Sequence, residues 1–461
     1  MPSARLIHKI SSLAGGFFPR PFRFCITRLR TLYTWLIRKF TRMPPVVTQN
    51  PISVLGLGLD LHKKRGFWVQ DGVGTENPVI RSSEFAYQAT NIVRINNDGV
   101  KSAAKHIRRK LLTESYSPRT WRTHALHICP AEPYVASDPL NKSVLNWIFL
   151  ISSLNFSFWS AKEGQPDRYG VEWQAGWNSQ EKKVWTGYWS LVASLNRALS
   201  EGIPITDPNF YSSDTLCPDS LIEKVFRAAD QSSETIPLLQ QRIAIMREVG
   251  FILCNSFGGS FQGFLENFQR KYDGQGTALD LVRMVTETFP SFRDEVFFEG
   301  RKIYLWKRAQ ILVAETWAAF FPAHSGSLHP IFPGSRGPAI HQLTMFADYR
   351  VPQILHHLRI LDYPPSLVNI LNAGTSLEPG CKEELSLRSA SIIAVERVRA
   401  EILRTMGNEA GMGSMGGNVS SVLIDFFLWD LAKKVESGEE MIEGIETASM
   451  LPIHRTRSIW Y

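Results

Sequence analysis

Three acids stand where a folded chain does not put acids by default. Asp348 lies in FADYR, between Phe346 and Tyr349, with Arg350 next and Pro352 beyond. Proline is tolerated in the first turn of a helix, where its missing N–H breaks no bond. VPQILHHLRIL therefore reads as a helix and FADYR as the turn that feeds it. A carboxylate on such a turn is held by the helix behind it and can face a cavity, and chemistry collects on loops that a scaffold fixes. The plainer roles are a cap for that helix or a partner for Arg350. Asp425 and Asp430 lie in SVLIDFFLWDLAKK, within an apolar and aromatic run. A carboxylate is costly to bury there unless a cation or a donor meets it. On a helix the two acids sit roughly 140° apart, so they can flank a pocket but cannot share one narrow face. The alternative is that each pairs with a Lys or Arg of a neighbouring helix.

Other candidates surround these acids. His127, in WRTHALH ahead of Pro130, lies among apolar residues, where a lone histidine is more often a satisfied core residue than an acid or ligand. Phe346, Phe426 and Trp429 lie close to the acids along the chain, and Phe156, Phe158, Trp159, Tyr188 and Trp189 add further aromatic candidates. Aromatic faces with carboxylates suit a flat nucleobase, although an aromatic core is the default reading. Lys307 and Arg308, in WKRAQIL, could bind an anion or form the solvated face of an amphipathic helix. There is no HExxH, no Cys/His cluster, no P-loop and no glycine-rich dinucleotide turn after a strand. No metal and no cofactor is expected.

The elements that must position these groups are helical. The chain has 461 residues, 44% hydrophobic and 20% charged, enough for a large core. Its net charge of +8 is local. Nine of the 51 Lys and Arg, and none of the 43 Asp and Glu, precede Asp60. The remainder is near neutral, which argues against a phosphate-tracking surface and direct nucleic-acid binding. Five scattered cysteines suit a reducing compartment. No stretch is long and apolar enough for a membrane span; Leu145 to Phe158 reads as part of a buried helix.

Residues 1–42 are Arg-rich and acid-free, as in a mitochondrial presequence; the other reading is that translation starts at Met43. The compartment follows that choice: cytoplasmic, or mitochondrial if the leader is a genuine presequence. Residues 43–76 read as a linker, and 77–461 as one mainly α-helical domain with room for one small hairpin before Trp185. Helix-period patterns recur at Leu140–Ser160, Gly187–Gly202, Ile303–Phe320, Lys382–Met406 and Val419–Val435. A monomer is expected.

Several stretches together resemble the queuosine salvage family. They are NWIFLISSLNFSFWS, GYWSLVASLNRALSEGIPIT, FGGSF, FPSFRDEVFFEGRKIYLWKRAQILVAETW, LTMFADYRVPQIL, SVLIDFFLWDLAKK and PIHRTRSIWY. The resemblance runs from about Asn77 to Tyr461. It implies an all-α fold like that of the helix-hairpin-helix DNA glycosylases. It implies hydrolysis of the N-glycosidic bond of queuosine 5′-monophosphate to queuine and ribose 5-phosphate, the base then returning to tRNA. By the same resemblance Asp348 matches the catalytic acid, and His127, Phe346, Asp425 and Asp430 match positions that contact the base. Phe426 stands where the family has a tyrosine: DYYLWD there is DFFLWD here, so the ring is kept and a hydroxyl lost. Lys307, Arg308 and Arg350 are the candidates for the 5′-phosphate. A non-catalytic nucleobase- or tRNA-binding module, or a glycosylase acting on DNA, is the alternative.

Overall fold

The computed structural model describes residues 76–461 except 114–115, 325 and 408–418. The leader, nearly all of the 43–76 linker and most of the Gly/Met loop after Met406 lie outside the described residues. Fourteen α-helices were identified among the described residues. The first half of the chain gives α1 (Pro78–Thr90), α2 (Asn97–Thr113), α3 (Pro139–Ser153), α4 (Tyr188–Ser200), α5 (Pro208–Tyr211), α6 (Asp219–Val225) and α7 (Leu239–Ser256). The second half gives α8 (Phe261–Lys271), α9 (Ala278–Thr288), α10 (Lys307–Ala319), α11 (Arg350–His357), α12 (Pro365–Asn372), α13 (Lys382–Gly407) and α14 (Ser421–Ser437). None of these helices is long and apolar enough to cross a membrane.

Local chemistry sets the boundaries. The side chains of Asn77, Asp138 and Asp207 each accept an N–H of the first turn, with proline following at once. Thr277 and Asp280 form a capping box on α9, and Ser420 caps α14, which stops at left-handed Gly438.

Three small antiparallel pairs punctuate the helices, where one hairpin was expected. β1 (Arg94–Ile95) pairs with β6 (Leu361–Asp362), β2 (Gly170–Gln174) with β3 (Lys182–Thr186), and β4 (Glu295–Phe298) with β5 (Arg301–Tyr304). The last pair takes the start of the expected Ile303–Phe320 helix. Glu299 and Gly300 both have positive φ, the two-residue turn whose twist matches a hairpin.

The expected helix from Leu140 to Ser160 ends early, at Ser153, and the reason bears on the site. Six successive carbonyls beyond that point accept from cationic side chains. Arg308 donates to Ser153, Arg242 to Leu154 and Phe156, Lys307 to Asn155, Arg457 to Ser157 and Arg168 to Phe158. A helix end leaves carbonyls without partners and carries partial negative charge, and cations satisfy both. Ser157, at φ 51°, breaks the helical path. Its N–H donates to the Tyr461 carbonyl at 2.8 Å, and Trp159 Nε1 donates to Thr456, so the last residues pack against this segment.

Arg242 is wholly buried with no carboxylate among its hydrogen-bond partners. Replacing it with methionine keeps bulk but leaves carbonyls without donors. Each such loss costs about 1–3 kcal/mol. Arg242→Met is expected to fold with a clearly lowered urea midpoint, measured by equilibrium unfolding.

Candidate active site

The described residues enclose a cavity of about 490 Å³ between the 116–127 segment, α4, α10, the FADYR turn and α14. Asp348, His127, Phe346, Asp425, Phe426 and Asp430 all line it, as do Lys307 and Arg350. Arg308 does not. It is buried, its guanidinium spent on the carbonyls of Ser153 and Ser291, so it is neither a cavity cation nor part of a solvated face.

The FADYR turn is fixed almost residue by residue. Gln310 of α10 accepts the N–H of Thr344 and donates to its hydroxyl. Asp425 Oδ1 accepts the N–H of Phe346 at 2.9 Å. Arg388 of α13 donates to the carbonyl of Ala347 and is itself clamped by Asp294 and Glu384. Asp348 Oδ1 accepts the N–H groups of Arg350 and Val351 at 2.8 and 2.9 Å. The capping role is therefore real, and it occupies one oxygen. The other oxygen is left for the cavity. Asp348 does not pair with Arg350, whose guanidinium meets Glu436 at 2.7 Å.

Helix α14 presents Asp425, Phe426, Trp429, Asp430, Lys433 and Glu436 to the cavity, a stripe two residues wide at three-to-four spacing. Neither acid pairs with a Lys or Arg within 4 Å among the described residues. Asp430 instead accepts the Tyr116 hydroxyl at 2.9 Å. Burial pushes the Asp425 carboxyl well above the carboxylate range. Asp348 adds to that rise, while the Phe346 N–H and Lys307 oppose it. Burial raises Asp430 as well, against the Tyr116 hydrogen bond and Lys434 and Lys433. The rings of Phe346 and Phe426 lie 6.0 Å apart at 55°.

One face of α10 supplies Lys307, Ile311 and Glu315. Lys307 donates to the Asn155 carbonyl at 3.1 Å and to its Oδ1 at 3.3 Å. Burial pulls its ammonium down to about 8, against the attraction of Asp348 and Asp425. Burial lifts Glu315 to about 7, although Tyr188 donates to it at 3.2 Å.

A second group of cations sits at Arg168, Arg350 and Lys433. Arg168 pairs with Glu163 and Arg350 with Glu436, while Lys433 has no carboxylate within 4 Å among the described residues. Burial, then Arg350, pulls the Lys433 ammonium down to about 8. Three cations against two acids leave an uncompensated positive charge.

The histidines complete the wall. His127 stacks on Trp121, with Nδ1 2.6 Å from the Trp121 carbonyl, so that nitrogen carries the proton. His124 stacks face to face on Trp189, 3.5 Å between centroids. Its Nδ1 accepts the Leu126 N–H, so the neutral ring carries its proton on Nε2. The sequence pointed to neither His124 nor Arg168. Lys433 and Glu315 were not singled out either, although helical spacing could have flagged them, one lying four residues beyond Trp429 on α14 and the other eight beyond Lys307 on α10.

A mainly helical body around a cavity lined by acids and aromatic rings defines a helical pocket protein among the described residues. The chain belongs to the queuosine salvage family: the family described as "Queuosine salvage protein" matches residues 135–461. Proteins named queuosine 5′-phosphate N-glycosylase/hydrolase are similar to it. That of Schizosaccharomyces pombe is 37% identical over 83% of this chain and 99% of its own. That of Mus musculus is 36% identical over 82% and 97%, and that of Sphaerobacter thermophilus 31% over 83% and 97%.

Burial holds the His124 and His127 imidazoles down to about 4 and about 3. In the unfolded chain they titrate at about 6.5. Between these values the unfolded state binds more protons, so stability rises with pH and is lost on acidification below about 6.5. Glu315 and Asp425, raised by burial, act with the opposite sign over this window, so the histidine contribution is read as a difference. From pH 7 to pH 5 the urea midpoint of His127→Phe, which keeps a ring on Trp121, is expected to rise relative to that of wild type.

Proposed function

We infer that this chain is an N-glycosyl hydrolase that cleaves queuosine 5′-monophosphate to queuine and ribose 5-phosphate, supplying the base for salvage into tRNA. The observation that carries the reading is the divided carboxyl of Asp348. One oxygen is fixed on the backbone of α11 and the other takes no hydrogen bond from the described residues, at a residue that lines the cavity, in a chain whose relatives bear this activity in their names. Residues 77–461 form the catalytic domain, of a kind with the helix-hairpin-helix DNA glycosylases. The enzyme acts as a cytoplasmic monomer, or a mitochondrial one where the leader is a genuine presequence.

N-glycosidic cleavage passes through a sugar with positive charge growing at its anomeric carbon. A carboxylate held beside that carbon stabilises the charge, most strongly where water is excluded. Asp348 has that role, and its fixed oxygen means that little reorganisation accompanies the reaction. Phe346 and Phe426 provide ring faces for the base. Ring contact survives the loss of the family's hydroxyl at position 426. Asp430 and His127 offer polar contacts to the base and its aminated side chain.

Of the expected phosphate candidates, Arg350 is kept, Arg308 is excluded by its burial away from the cavity, and Lys307 faces the acids instead. Arg168 and Lys433 join Arg350. A phosphate placed among these three cations neutralises the charge that Glu163 and Glu436 leave over.

Asp348→Asn is expected to fold normally and to lose turnover by several kcal/mol of barrier, each ~1.4 being tenfold. Chromatography of free queuine checks this, and release at the wild-type rate overturns the assignment. Lys433→Met removes a charge-assisted contact worth about 1.5–3 kcal/mol. It is expected to raise KM for the monophosphate roughly ten- to a hundredfold while changing kcat/KM for the unphosphorylated nucleoside little. An unchanged preference for the monophosphate counts against this phosphate site.

A further inference from the structure

The base of this substrate is a 7-deazaguanine. It has carbon where a purine has N7, so the usual way of making a purine a better leaving group is closed. The electron pair of the breaking bond must be met by a proton elsewhere on the base. We propose that Asp425 is the catalytic acid that delivers this proton, with Asp348 as its ionised counterpart. The proposal rests on the reading above and deepens it, since Asp425 stood only as a contact to the base.

The geometry separates the two carboxyls. Asp425 is buried, has no Lys or Arg within 4 Å among the described residues, and spends Oδ1 as acceptor of the Phe346 N–H. Its cavity-side oxygen is the one left to carry a proton. Asp348 instead accepts two backbone N–H groups at the start of α11, a setting that favours an anion. One residue binds the two acids together. Phe346 gives its N–H to Asp425, and its carbonyl accepts the Asp348 N–H at 2.7 Å. The groups facing Asp425 are Asp348 from the turn and Lys307 from α10. Burial and the Asp348 charge favour the neutral acid, and Lys307 opposes them without an ion pair. A buried carboxyl that favours its neutral form, beside a carboxylate that caps a helix, gives one site a proton donor and a charge-stabilising group together.

The step balances. The bond between the anomeric carbon and the glycosidic nitrogen breaks, and its electron pair goes to the nitrogen. The Asp425 proton passes to the base. Water bonds to the anomeric carbon, and its proton passes to Asp348. The products are queuine and ribose 5-phosphate. Asp425 is left ionised and Asp348 protonated, and exchange with solvent restores both.

The test is Asp425→Asn, which keeps an oxygen for the Phe346 N–H and an N–H to hold the base but carries no transferable proton. Two substrates are compared with wild type: queuosine 5′-monophosphate, and p-nitrophenyl ribofuranoside 5-phosphate, whose leaving group departs without protonation. The expected result is a loss of about 10²–10⁴-fold in kcat on the first and a loss below about tenfold on the second. Wild-type kcat on the first substrate should also fall as pH rises through the pKa of Asp425, and that limb should be missing in the variant. Equal losses on both substrates, or no loss on the first, overturn the proposal. Should the variant not fold, wild type decides. An alkaline fall with queuosine 5′-monophosphate that is missing with the nitrophenyl substrate supports the acid, since Lys307 and Lys433 would act on both; a flat profile, or the same fall on both substrates, overturns it. A wild type inactive on queuosine 5′-monophosphate is a different result, and it defeats the substrate reading itself.

Discussion

The end of α3 has partial negative charge and a run of carbonyls that no helix satisfies. Arg308, Arg242, Lys307, Arg457 and Arg168 meet those carbonyls from Ser153 to Phe158. For Arg242, Arg308 and Lys307 the described hydrogen bonds go to oxygens of uncharged groups, and the acids that act on Arg308 (Asp294, Glu248) and Lys307 (Asp348, Asp425) do so without a direct ion pair. Buried cations without a contacting counterion are costly. Here carbonyl dipoles, the helix end and the rings of Phe156 and Phe292 spread the cost. The cavity lies directly on this segment, since Asn155 and Phe158 are part of its wall. Lys307 thus reaches the acids from a fixed anchor.

That anchor explains how three acids coexist in one small space. Asp348 is stabilised by backbone N–H groups, Asp425 by a backbone N–H, and Asp430 by the Tyr116 hydroxyl. Each finds a partner other than an ion pair, so none is locked away from the cavity. The two true ion pairs at the rim, Arg168–Glu163 and Arg350–Glu436, bound the region where the charge is positive. The cavity therefore carries acids that are not ion-paired, with Lys307 beside Asp348 and Asp425, and a group of three cations, Arg168, Arg350 and Lys433, that Glu163 and Glu436 only partly balance.

Much of this is legible in the order of the residues. Proline and capping side chains mark the helix starts, and an acid between aromatics ahead of Pro352 marks the turn. Asp425 and Asp430 stand out because apolar helices rarely carry acids. Other features are hidden for physical reasons. The β4–β5 hairpin is short, and its apolar run blends into α10; only Glu299–Gly300 betrays the turn. Helix α3 ends where side chains from distant segments capture its carbonyls, which no local pattern encodes. Arg308 looks like its neighbour Lys307 in sequence, yet one step around a helix sends it to Ser153 and Ser291 and away from the cavity. His124 matters through a parallel stack on Trp189, far along the chain, and spacing cannot reveal that.

The cations on the 153–158 carbonyls come from positions 168, 242, 307, 308 and 457. The floor of the cavity is thus closed only when stretches of sequence separated by up to 300 residues have met. Such non-local closure slows folding, because loop entropy is lost before the contacts repay it. No contiguous fragment of the described chain that lacks either end of that span contains a finished pocket, so the enzyme is a late product of its own folding rather than a preformed module to which the rest is attached.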